Sequence, residues 1–227
     1  MNLTEHYNTL YKASKEKILS GNCETDPLLD SASDNRLGIT LLLRPDSQVQ
    51  NNIQAFLSDL KAIDPAQYYY PNSDIHVTVM SIISCYSGFD LAQISVPEYV
   101  ELVRKSIPAQ VSIRIKFRGI TASPSTVMVQ GFMEDDTLNE LRNNLRVNFR
   151  NSALEQSIDK RYAIQTAHTT VVRFRQEITQ VQEYVKVLEK YREHDFGTFT
   201  ADELVLVYND WYQRRAHVQD LHRFKFG

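Results

Sequence analysis

The feature that most restricts the fold of this 227-residue chain is a repeated order of elements. Residues 37–43 form a short apolar run bounded by Arg44-Pro45 and read as a buried strand. Asp46 or Ser47 can cap the next segment, where Val49, Ile53, Phe56, Leu57 and Leu60 recur at helical spacing until Pro65. The run 75–83 is again strongly β-prone. The same order returns at 125–132, 137–150 and 162–174: a strand, a helix with Leu138, Leu141, Leu145 and Phe149 on one face, and a strand. Thr137 and Glu140 have capping-box spacing. Two similar lobes packed together account for the repetition, which makes the expected class α+β and bilobal.

The remaining segments fit around this frame. A helix is expected over 3–19, stopped by Gly21, followed by a polar loop over 22–36. Together they form an N-terminal extension, 1–36, to a domain spanning 37–227. Further helices are expected at 97–107, opened by Pro97, and at 179–194, buried through Val181, Val185 and Leu188. Strands are expected at 111–117, 203–208 and 218–226, with Gly119 and Pro124 interrupting the chain before 125.

Composition narrows the function classes. The net charge is −3, which argues against tight binding to long nucleic acids. The balance is uneven, however. Residues 1–110 carry 8 Lys/Arg against 13 Asp/Glu, and residues 111–175 carry 10 against 6, so a modestly basic middle can hold a phosphate or two. No apolar run approaches the roughly 18 residues of a membrane span, and the N-terminus lacks the pattern of a secretory signal. Two cysteines, Cys23 and Cys85, fit neither a disulfide framework nor a zinc site, so a reducing cytoplasm is the expected location, with Cys85 a buried thiol. Separately, the chain is expected to be a monomer.

The chemistry sits on matching strands. The first repeat carries Ile75-His76-Val77-Thr78-Val79, the second Ala167-His168-Thr169-Thr170-Val171. In a strand, residues i and i+2 face the same side, so each imidazole has a threonine hydroxyl beside it. With 6 histidines and 14 threonines, chance supplies roughly a third of one such tripeptide per chain, so a pair on equivalent strands is informative.

These motifs, HVTV at 76–79 and HTTV at 168–171, their separation and the repeated order of elements resemble the 2H phosphoesterase superfamily of 2′-5′ RNA ligase-like proteins and cyclic phosphodiesterases. The resemblance spans roughly residues 37–210. It implies two pseudo-symmetric antiparallel sheets with outer helices around a central groove, and an active site of His76, Thr78, His168 and Thr170. Arg173, five residues after the second histidine, matches a frequent pattern of that family.

Acid–base chemistry points the same way. Opening a 2′,3′-cyclic phosphate or cleaving a phosphodiester needs one group to activate the attacking oxygen and another to protonate the leaving one. Imidazoles titrate in the required range, and threonine hydroxyls can donate to the non-bridging oxygens. The scheme calls for no metal and no cofactor. The expected partner is a small nucleotide or RNA-end phosphodiester, with no membrane involved. Ligation would run the same roles in reverse. Tyr70, Tyr208 and Trp211 are candidates to stack a base. Simple alternation points Arg173 away from the groove, and a β-bulge would bring it in. Arg142, Arg146 and Arg150 step by four and read as a solvated basic face; His6, His194, His217 and His222 read as surface residues. A metal site of His76, His168 and Asp74 carries little weight without a motif to support it. A different class of function, a binding module that holds a nucleotide without turnover, would use the same groove. An enzyme acting on a non-nucleotide phosphodiester would also look alike.

Overall fold

A computed structural model describes residues 2–226. Its elements, in chain order, are α1 (Leu3–Leu19), β1 (Arg36–Leu43), α2 (Ser47–Ile63), β2 (Tyr68–Tyr69), β3 (Val77–Ser87), α3 (Val96–Ser106), β4 (Arg114–Ser123) and β5 (Thr126–Met133). They continue with α4 (Thr137–Arg150), β6 (Thr169–Arg173), α5 (Val181–Lys190), β7 (Asp195–Thr200), β8 (Glu203–Asp210) and β9 (Gln219–Lys225). The fold is α+β and bilobal. One sheet has the order β3-β1-β8-β9 and the other β2-β6-β5-β4-β7, with every pairing antiparallel. The two orders correspond element by element: β3 to β6, β1 to β5, β8 to β4 and β9 to β7, leaving β2 as an added edge. The repeat in the sequence is therefore a repeat in space.

Local chemistry explains most of these elements. Asp46 caps α2, its Oδ1 accepting from the Val49 N–H at 2.9 Å, and the five apolar residues of the stripe are buried. Each such side chain contributes about 1.5–3 kcal/mol relative to an exposed position. Helix α1 ends where expected, with Gly21 at φ +71°. It lies on the second lobe: Thr121 donates to the Tyr7 carbonyl, Ser14 to the Ala122 carbonyl, and the Tyr11 hydroxyl to Glu189 of α5.

Several expectations are corrected. Strand β4 does not end at Phe117 but runs through Gly119, whose φ of +74° lets the chain pass close to the Arg192 carbonyl at a register shift. Residues 162–168 are not strand, so β6 has only five residues. The capping box of α4 is not made: Thr137 lies inside the helix, and Asp135 Oδ1 accepts from its N–H instead. His194 is not helical, because α5 stops at Lys190 and β7, which was not expected, begins at Asp195.

The connecting helices are exchanged between lobes. Helix α2 joins two strands of the first sheet, yet Asn52 donates to the Phe196 carbonyl of β7 and Phe56 packs on Phe196 in the second. Helix α4 joins two strands of the second sheet and packs on α3, through Tyr99 against Phe149, and on β3. Both lobes share one continuous apolar core. Among the described residues no helix is long and apolar enough to cross a membrane.

Candidate active site

Strands β3 and β6 face one cleft, and His76, Thr78, His168, Thr170, Arg173, Tyr70 and Trp211 all line it. Both histidines immediately precede their strands, so their rings stand at the mouth of each. A turn over Pro71–Asp74 sets the first: the Asp74 and Ile75 N–H groups both donate to the Pro71 carbonyl. The Asp74 carbonyl then meets His76 Nδ1 at 2.7 Å. A carbonyl only accepts, so Nδ1 carries the proton and Nε2 is the free nitrogen of the neutral ring. The Asp74 carboxylate is engaged elsewhere, by the Ser73 hydroxyl and the Arg215 N–H. It is not placed to complete a metal site with His76. No group of three or more His, Cys, Asp or Glu side chains suited to a metal occurs among the described residues.

His168 is held by Thr166, whose Oγ1 lies 2.6 Å from Nδ1. The preceding residue, Ala167, is fully buried, and its carbonyl lies where a side chain on Gly131 of β5 would sit. Only glycine at 131 allows the His168 segment to approach this closely. Thr78 and Thr170 both line the cleft beside the histidines.

Arg173 enters the cleft because of a bulge. Val127 pairs with Val172 and Met128 with Thr170, so Val171 is an extra residue. Val171 and Val172 are both buried, and alternation resumes with Arg173 on the same side as Thr170. Its Nε donates to the Tyr70 hydroxyl at 2.8 Å, and its Nη1 lies 3.8 Å from Asp26.

The aromatic candidates separate. Tyr70 is 1% exposed and packs edge-on against Tyr68, so it cannot stack a base; it anchors Arg173. Trp211 lies at the cleft, with the guanidinium carbons of Arg161 and Arg36 at 4.5 and 4.8 Å from its ring. Tyr208 faces the other side of β8, its ring against Phe89 and its hydroxyl toward the Phe89 carbonyl, whereas its neighbour Asn209 faces the cleft.

Sequence reading missed several cleft residues. Gln213, buried and at φ +60°, and Asn209 line it. Arg161 also lines it, on an irregular segment without a sequence signature. His6 is not a plain surface residue: with Leu10, Met128 and Ile164 it lines a more apolar arm of about 610 Å³ that meets the cleft at Thr78, His168 and Thr170. Arg142 is not solvated either. It is fully buried behind the motifs, while Arg146 is half-buried and pairs with Asp159. Cys85 is the buried thiol expected, its pKa pushed up by burial to about 12.

Burial lowers both imidazoles to about 4. For His76, the Arg44 and Arg173 charges add to the effect; for His168, Arg142, His76 and His6 do. That His76 opposes the protonation of His168 is a consequence of facing one space. At neutral pH the cleft holds two neutral rings beside guanidinium groups.

No family model and no curated protein matches the sequence. Solved structures match its fold. TT0787 of Thermus thermophilus is 14% identical with a TM-score of 0.58, covering 82% of this chain and 96% of that one. LigT of E. coli, in its complex with 3′-AMP, is 15% identical with a TM-score of 0.57, covering 84% and 98%. A structure described as a phosphoesterase is 14% identical with a TM-score of 0.56, covering 84% and 98%. With its paired sheets around one cleft, this chain has the fold of LigT.

Proposed function

We propose that the protein is a phosphoesterase that opens a 2′,3′-cyclic phosphate, or cleaves or joins a nucleotide or RNA-end phosphodiester, with His76 and His168 as acid and base. The observation that carries this reading is the pair of imidazoles, one from each lobe, each held at Nδ1 by a neighbouring oxygen and each beside a threonine that lines the same cleft. A phosphate between them raises both pKa values toward the neutral range. In the hydrolytic direction, one neutral imidazole takes the proton of the attacking water as its oxygen bonds to phosphorus. The other, as imidazolium, protonates the departing ribose oxygen. Thr78 and Thr170 donate to the non-bridging oxygens, and Arg173 adds positive charge. Joining uses the same steps reversed. His76 enters with its Nε2 lone pair free; the hydroxyl partner of His168 can donate or accept and so suits either protonation state.

Trp211 and Arg161 offer a planar surface and a cation for a base or a second phosphate. LigT has been seen with 3′-AMP, ATP, NADP+ and phosphate, which supports a small nucleotide as ligand. The test is turnover of a panel of 2′,3′-cyclic nucleotides in EDTA. Folded His76→Ala and His168→Ala variants are expected to lose about 10²–10⁴-fold in kcat/KM. Tight nucleotide binding with no turnover across the panel would instead mark a binding module.

A further inference from the structure

Arg142 is the most unusual charge in the molecule. It is fully buried on α4, and no carboxylate pairs with it among the described residues. Buried cations are normally paired, because an unpaired one costs several kcal/mol. Its guanidinium is spent on backbone carbonyls instead: Nε donates to Val79 at 3.0 Å, and Nη2 to Thr78 at 3.0 Å and Thr166 at 2.8 Å. Thr78 belongs to the first motif, and Thr166 holds the His168 ring. One side chain therefore bolts the motif strand of one sheet to the histidine support of the other.

We infer that Arg142 is a positioning residue that sets the spacing of the two motifs, and that its buried charge, held directly behind Thr78 and Thr166, favours a phosphate in the cleft they border. The inference rests on the proposed phosphoesterase reading. A clamp alone could be made by a neutral amide. A guanidinium adds a fixed positive field behind the cleft, favouring an anion there. The same field disfavours the imidazolium of His168, which also faces His76 and His6, until the anion arrives.

The test uses the full chain with sulfate as probe, a dianion across the relevant pH range. NMR follows the imidazole titrations, and kcat and KM are measured on a cyclic nucleotide. In Arg142→Gln, His168 should titrate closer to the ordinary value near 6.5. Sulfate affinity should fall about tenfold, and kcat about 100-fold through lost spacing. In Arg142→Lys, the charge remains while the two-sheet clamp is lost: His168 should titrate as in the parent while kcat falls about tenfold. Folded Arg142→Gln with unchanged His168 titration and sulfate affinity overturns the inference. If that variant does not fold, unchanged kcat in Arg142→Lys overturns it. Failure of the phosphoesterase reading looks different: the parent itself shows no turnover, while the His168 titration still reports whether Arg142 acts on it.

Discussion

Acidification should destabilise this protein through its two motif histidines, and an anion should reverse the effect. Each ring has a folded pKa of about 4 against about 6.5 unfolded. Below 6.5 the unfolded chain binds protons that the folded cleft resists, so stability falls from about pH 6.5 toward pH 4 and is unaffected above that window. At pH 5 the linkage is worth about 2 kcal/mol per ring, nearer 1 once water on the open side of the cleft is counted. The assay is urea unfolding at pH 7.5 and pH 5, for the parent and for His168→Gln, with and without sulfate. The parent should lose about 2–4 kcal/mol for the two rings together, and His168→Gln about half as much. Sulfate should bind more tightly at pH 5 than at pH 7.5, with proton uptake, because the imidazolium form is the one that an anion favours. Sulfate affinity that is flat with pH, or insensitive to replacement of either histidine, would refute the reasoning, since no anion would then sit between the rings.

Three substitutions probe the supports of the cleft. Gly131→Ala places a methyl group against the Ala167 carbonyl, and should cost about 2–3 kcal/mol in unfolding experiments and displace His168 enough to lower kcat. Tyr70→Phe removes the hydroxyl that accepts from Arg173 Nε, and should weaken sulfate about 3–10-fold by calorimetry with little change in fold. Trp211→Ala should weaken nucleotide binding about tenfold while leaving sulfate affinity intact, whereas Tyr208→Ala, on the core side of β8, should lower Tm without changing nucleotide affinity.

What the sequence makes legible here is whatever depends on local periodicity. The stripe of α2 expresses one element facing one environment and is buried as read, whereas the two His-x-Thr pairs reach one cleft with each histidine just ahead of its strand. Arg173 needed a bulge, and nothing in Thr170-Val171-Val172-Arg173 marks one; only pairing with Val127 and Met128 creates it. Arg142 did leave a trace. It stands four residues after Leu138 and three before Leu145, inside the apolar stripe of α4, while its step of four to Arg146 and Arg150 suggested a solvated face. Its place in the apolar stripe, not its charge spacing, matches its complete burial. Gln213, Asn209 and Arg161 reach the cleft from segments whose course is set by tertiary contacts, such as the Arg215 N–H on Asp74 and the Ser157 N–H on the Ile82 carbonyl.

The exchanged helices explain why so much of the site rests on residues far from the motifs. If each sheet carried its own connecting helix, the two lobes would meet only across the cleft, and the separation of His76 from His168 would follow any hinge between them. Instead, α2 is packed on β7 through Asn52 and Phe56, and α4 on β3 through Arg142. Parting the lobes would expose both helices at once, uncovering a core shared by the two sheets. The spacing of the imidazoles is thus fixed by core packing rather than by the loops around the cleft. The proposed proton transfers, to and from the attacking and leaving oxygens of one phosphate, need placement within a fraction of an ångström, and this architecture would supply it from its hydrophobic interior.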